Sequence, residues 1–172
     1  MTNIIKGRAW VLTNKAGALF DNIDTDMIFH NRYLHITDID QMGQYALDNL
    51  EGWEDFAKKA QPNDIVIAGG NFGCGSSRQQ AVDCFRALGV TALVCPSYGA
   101  IYFRNCVNTG WPTLISPDVT PEQVKNGEEV EINLENGTWR NVTRGADLPA
   151  LKPVSDVQRE IMGAGGLFKL RV

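Results

Sequence analysis

The stretch Gly70-Asn-Phe-Gly-Cys-Gly-Ser-Ser-Arg78 gathers the residues of this chain most able to do chemistry. Ser76 and Ser77 bring two adjacent hydroxyls. Arg78 brings a planar fork that can grip a carboxylate or phosphate through two parallel hydrogen bonds. Gly73, Cys74 and Gly75 form an anion loop ahead of them, because glycine tolerates positive φ and lets backbone N–H groups crowd around a ligand. A helix is expected to begin where the serines stand, which adds free N–H donors and a partial positive charge. The combination reads as an anion held beside a hydroxyl. Helix capping is the plainer use of the same serines: Ser76 with Gln79, or Ser77 with Gln80, fits a capping box worth about 1 kcal/mol. Capping accounts for one serine, but not for two serines, an arginine and the glycine run together.

Several familiar loops do not fit. A nucleotide-hydrolase phosphate loop ends Gly-Lys-Ser/Thr, whereas Gly75 is followed by Ser-Ser-Arg. The nucleophile elbow Gly-x-Ser-x-Gly lacks its second glycine. The order Gly-x-x-Gly-x-Gly is not the dinucleotide fingerprint. Neither His30 nor His35 has an evident link to Ser76 that would suggest a hydrolytic triad.

Asp21-Asn-Ile-Asp-Thr-Asp26 is dense in residues that bond their own backbone, and it lacks the calcium-loop pattern. Cys74, Cys84, Cys95 and Cys106 are spread about ten residues apart, without the close pairs that zinc or iron–sulfur ligation favours, so no metal site is expected in this chain. Cys84, Cys95 and Cys106 read as small buried thiols. Cys74 either fills a gap in the glycine loop or touches whatever binds there. Arg104 and Asn105 read as a helix face meeting solvent or as an inter-helix hydrogen bond.

The elements that position these residues follow from periodicity and punctuation. Ile4 to Leu12 reads as a strand, Asp38 to Leu47 as a helix capped by Thr37 or Asp38, and Trp53 to Ala60 as a short helix ended by Pro62. Asp64 to Ala68 is a buried-type strand and Ser77 to Leu88 a helix with Ala81, Cys84, Phe85 and Leu88 inward. Gly89 stops that helix, and Val90 to Cys95 is the next strand. Strand, helix and strand in this order predict a βαβ unit with parallel strands. A further helix spans Tyr98 to Thr109, with Tyr98, Ile101, Tyr102 and Cys106 as its inner stripe and Gly110 as its stop. Thr113 to Ile115 predicts another strand. Glu129 to Leu134 and Thr138 to Val142 flank Asn136-Gly137, a hairpin signal, and Ser155 to Met162 predicts a last helix.

At 172 residues, 44% hydrophobic and 21% charged, the chain is expected to fold as one soluble domain over residues 1–172. A net charge of −4 argues against general nucleic-acid binding. No apolar stretch approaches the roughly 18 residues needed to span a bilayer. With no signal-peptide pattern at the start, a cytoplasmic location is expected.

Three stretches in order, Asp21-Asn-Ile-Asp-Thr-Asp-Met-Ile28, Gly70 to Arg78 and Pro96-Ser-Tyr-Gly-Ala-Ile-Tyr-Phe-Arg-Asn105, resemble the small subunits of the aconitase-type hydro-lyases, 3-isopropylmalate dehydratase above all. The resemblance covers nearly the whole chain. It implies an α/β fold, a swivelling β/β/α domain with a central βαβ unit and a C-terminal β-hairpin. It implies a large partner subunit carrying a [4Fe–4S] cluster, in a heterodimer or heterotetramer, and a small di- or tricarboxylate substrate. Ser76 then matches the base that takes the proton from the substrate carbon, and Ser77 and Arg78 match holders of a substrate carboxylate. Asp24 and Thr25 of the first stretch are candidate substrate contacts. Arg32-Tyr-Leu-His-Ile-Thr37 matches the region that sorts substrates, which makes Arg32, His35 and Ile36 candidates as well. Homoaconitase-like members commonly place an arginine where this chain has His35. Imidazole and Ile36 instead favour a less anionic, more apolar side group, as on isopropylmalate or a methylated malate, although a protonated His35 could still meet an anion. Many relatives continue Gly-Ser-Ser-Arg-Glu, whereas Gln79 and Gln80 here remove a negative charge. Homoaconitase, citraconate/methylmalate or dimethylmalate chemistry, or a non-catalytic dicarboxylate-binding module, are the alternatives.

Overall fold

A computed structural model describes residues 2–171. Strands β1 (Ile4–Val11), β2 (Ile65–Ile67), β3 (Ala92–Cys95), β4 (Thr113–Ile115), β5 (Glu129–Asn133), β6 (Thr138–Asn141) and β7 (Ala146–Asp147) share one sheet, ordered β4-β3-β2-β1-β5-β6-β7. The β1 to β4 half is parallel and the β5 to β7 half antiparallel. The helices are α1 (Thr25–Ile28), α2 (Phe56–Lys59), α3 (Gln80–Ala87), α4 (Ala100–Thr109) and α5 (Asp156–Ala164).

Strands β2 and β3 are apolar without alternation because both faces are covered, as parallel strands require. Val66, Leu93 and Cys95 face a core shared with α3, α4 and the segments before β2. Ile65, Ile67, Ala92 and Val94 face a second core with Val130 and Ile132 of β5 and Trp139 of β6. Residues from both halves of the sheet thus meet in one core, so the sheet curls. Lys152 N–H donating to the Ile115 carbonyl (2.8 Å) ties the chain after β7 back to β4. At the β1–β2 crossing Gly7 is required, because a Cβ there would lie 1.8 Å from the Asn63 carbonyl oxygen. Asp64 is buried beside it and accepts from Arg8 Nη2 (2.8 Å), Trp10 Nε1 (2.7 Å) and Gln61 N–H (2.8 Å).

The βαβ unit, the parallel strands, the Asn136-Gly137 hairpin and the stops at Gly89 and Gly110 appear as expected, both stop glycines and Gly137 at positive φ. Three expectations are corrected. Residues 38–47 form two 3-10 turns, Ile39–Gln41 and Gly43–Tyr45, in place of an α-helix. Leu47 N–H donates to the Ile28 carbonyl and takes φ +61, which a continuing helix forbids. The helix expected from Ser77 begins at Gln80. On α4, Tyr102 and Cys106 are buried one turn apart, while Ile101, expected inward, is 46% exposed.

Candidate active site

The glycine loop is gripped from two sides by the other two singled-out stretches. From the first, Gly70 N–H donates to Asp21 Oδ1 (2.7 Å) and Asn22 N–H to the Gly70 carbonyl (2.9 Å). Gly73 N–H donates to the Ile23 carbonyl (2.7 Å) and Thr25 N–H to the Cys74 carbonyl (3.0 Å). From the third, Asn71 N–H donates to Ser97 Oγ (2.8 Å), Phe72 N–H to the Ser97 carbonyl (3.2 Å), and Gly99 N–H to the Phe72 carbonyl (2.9 Å). Phe72 is the loop's apolar anchor. It is fully buried, edge-on to Tyr102 at 5.5 Å, and contributes about 2–3 kcal/mol by leaving water. Gly73 sits at φ +76 directly over Tyr102, where a Cβ would lie 2.2 Å from the ring.

After Cys74 the backbone is left open. Among the described residues, the N–H groups of Gly75, Ser76, Ser77, Arg78 and Gln79 donate to no backbone carbonyl. Ser76 and Ser77 are exposed, and neither caps α3, whose preceding residue, Gln79, makes no side-chain cap. The capping use of these serines is therefore absent. Gln79 turns its amide aside, donating to Asp83 Oδ1 (3.2 Å) and Thr109 Oγ1 (3.0 Å). Asn105 Nδ2 donates to Ser77 Oγ at 3.4 Å, so Asn105 bonds from α4 to the loop ahead of α3 and not from helix to helix. Arg104, one residue earlier, is exposed.

Arg78 is held from below. Its Nη1 donates to Asp26 Oδ1 (2.9 Å) and to the Phe29 carbonyl (3.1 Å), and its side chain is 15% exposed. Nε and Nη2 meet no acceptor among the described residues, so one edge of the guanidinium faces away from its anchors. The bond from Arg78 holds the Asp26 carboxyl below the usual carboxylate range, against a smaller upward push from burial. Asp26 Oδ1 also accepts from Asn31 N–H (2.9 Å), so one carboxylate joins Arg78 to the segment 31–37. Asp26 and Asn105 are site residues that sequence reasoning did not place among the substrate-binding candidates. Their signal was the long-range partner each needed, which spacing alone does not reveal.

The other candidates divide. Asp24 caps α1, accepting from Met27 N–H (2.8 Å), and bridges to Cys74. Thr25 is 2% exposed. In this arrangement Thr25 braces the loop through the bond from its N–H to the Cys74 carbonyl. Arg32 is exposed with its guanidinium 5.0 Å from the Tyr33 ring, and His35 is exposed with no hydrogen bond or ion pair among the described residues. Ile36 is half-buried against the core.

The donor set of this chain does not fit an iron–sulfur cluster. Cys84, Cys95 and Cys106 are buried, and burial pushes their thiols up, Cys106 to about 12. Desolvation, then the Asp24 charge, also raises Cys74, which keeps its thiol protonated at neutral pH. Among the described residues no three His, Cys, Asp or Glu side chains gather to hold a metal, and no helix is long and apolar enough to cross a membrane.

The chain is similar to known proteins over nearly its whole length. The aconitase C-terminal domain family matches residues 13–118. The chain is 38% identical to the 3-isopropylmalate dehydratase small subunit of Caldicellulosiruptor bescii over 92% of this chain and 93% of that one. It is 36% identical to the methanogen homoaconitase small subunit of Methanothermobacter thermautotrophicus, over 97% and 90%. The crystal structure of 3-isopropylmalate dehydratase (LeuD) from Methanocaldococcus jannaschii superposes with a TM-score of 0.84 at 33% identity, covering 97% of this chain and 92% of that one. More than half of the chain lies within the family match and the relatives align almost end to end, so the chain belongs to the aconitase C-terminal domain family.

Proposed function

We propose that this chain is the small subunit of a hydro-lyase that interconverts 2- and 3-isopropylmalate by dehydration and rehydration, in leucine biosynthesis. The observation that carries the reading is the exposed Ser76 hydroxyl, set among unpaired N–H donors and next to an arginine with one free edge. Ser76 Oγ takes the proton from the substrate carbon. A serine is a poor base in water, so its deprotonated form needs local positive potential, which the open N–H groups and Arg78 supply. With α3 starting only at Gln80 and Asp26 offsetting part of the Arg78 charge, the loop's own N–H groups matter more than the helix end. Ser77 and the free edge of Arg78 hold a substrate carboxylate, with Arg78 kept in place by Asp26 and the Phe29 carbonyl.

The face carrying Ser76 is open, which suits a site completed by a large subunit, and relatives are named as small subunits. A [4Fe–4S] cluster on that partner, in the cytoplasm, would supply Lewis-acid activation of the leaving hydroxyl. Exposed His35 and half-buried Ile36 favour a substrate with an apolar side group over a third carboxylate. The near-equal identity to a homoaconitase small subunit keeps that substrate as the second reading.

Anaerobic reconstitution with the large subunit tests this. Interconversion of the isopropylmalates is expected from the complex and not from the isolated chain. Tight dicarboxylate binding by the isolated chain, with no cluster-bearing partner co-purifying, would instead favour a binding module.

A further inference from the structure

We propose that Asn105 is a positioning residue that fixes the Ser77 hydroxyl as a donor toward the substrate carboxylate; this rests on the reading of Ser77 given above. A hydroxyl has one proton and two lone pairs. Asn105 Nδ2 donates to Ser77 Oγ at 3.4 Å and so occupies a lone pair. The serine proton is then directed away from the amide, to the open side of the turn. The separation leaves room to shorten when a carboxylate arrives.

The turn of helix that carries Asn105 is itself tied down. Thr109 Oγ1 donates to the Asn105 carbonyl (2.6 Å) and accepts from Gln79 Nε2 (3.0 Å). Gln79 Nε2 also donates to Asp83 Oδ1 (3.2 Å), the same oxygen that receives Arg86 Nη1 (3.2 Å). Contacts therefore run from Arg86 through Asp83, Gln79, Thr109 and Asn105 to Ser77, fastening the start of α3 to the last turns of α4. A glutamine at position 79 suits this chain of contacts. Glutamate could donate to neither partner and would set a like charge against Asp83.

A double-mutant cycle in the reconstituted two-subunit complex tests the inference. Asn105→Ala is expected to raise KM for isopropylmalate by about three- to tenfold, the worth of one hydrogen bond, with kcat little changed. Asn105→Asp keeps the shape but replaces a donor with a charged acceptor. It is expected to raise KM further, because the Ser77 proton turns to the new carboxylate. In a Ser77→Ala background Asn105→Ala should add less than about twofold, since the two residues act as one unit. Equal effects of Asn105→Ala in both backgrounds, or a fall in kcat at unchanged KM, would overturn the inference. A Ser77→Ala complex with unchanged KM would remove the carboxylate-holding role of Ser77, and the role of Asn105 with it.

Discussion

Gly70–Cys74 and Gly75–Gln79 are neighbours in the chain and opposite in how they use their backbone. In the first half, Gly70, Asn71, Phe72 and Gly73 all donate to partners from the flanking stretches, and Phe72 is buried to its last atom. In the second half, five N–H groups meet no backbone carbonyl among the described residues, and both serines are exposed. The difference shows a division of labour along ten residues. Burial and hydrogen bonding hold the first half rigidly enough that the second can keep donors unpaired, an arrangement that would otherwise favour collapse onto the nearest carbonyl.

The most severe way to break this contrast is Gly73→Ala. The added Cβ meets the Tyr102 ring and the position needs φ +76, so the variant is expected to lose about 3 kcal/mol or more of stability, read by denaturant unfolding, with activity lost alongside. In the open half, Arg78→Lys should cost less stability, about 1 kcal/mol, because the lysine keeps the charge beside Asp26 but not both bonds to Asp26 and the Phe29 carbonyl. It should raise KM roughly ten- to hundredfold, because a point charge does not replace a fork of charge-assisted bonds.

Segment 31–37 sharpens the comparison from outside the loop. His35 is free of partners among the described residues, so His35→Arg is expected to leave the melting temperature unchanged. It should shift the kcat/KM ratio toward a tricarboxylate by about two- to fivefold, as one exposed charge contact allows. An unmoved ratio would show that this loop does not sort substrates here.

The smallest effect concerns pH. The Asp26 carboxyl is held low by Arg78 in the folded chain, so the pair stabilises above the ordinary carboxylate range and that contribution fades as pH falls through the lowered value. The stability difference between the parent and Asp26→Asn should therefore shrink below about pH 4.

Local signals made the central βαβ unit, the hairpin and the glycine stops legible, because each is decided within a few residues. The composition of the loop was equally plain. What sequence could not give was long-range. Leu47 is pinned by the Ile28 carbonyl, so an apolar spacing that suits a helix settles into 3-10 turns. Ser77 and Gln80 have capping-box spacing, yet Gln79 is drawn to Asp83 and Thr109 and α3 starts late. Ile101 lies one position from the buried Tyr102, about 100° round the helix, and so turns to solvent. Thr25 is buried with its N–H on the Cys74 carbonyl, a long-range bond that its sequence neighbours do not announce. The curl of the sheet and the strand β7 depend on contacts that no window of sequence contains.

The central claim is that the open half of the loop presents Ser76 as the base. The most direct test is kcat of Ser76→Ala in the anaerobically reconstituted complex, measured with assembly by sedimentation and substrate KM. A fall of about a hundredfold or more in kcat, with assembly intact and KM within a few-fold of the parent, is the predicted result. Near-parental turnover would contradict it.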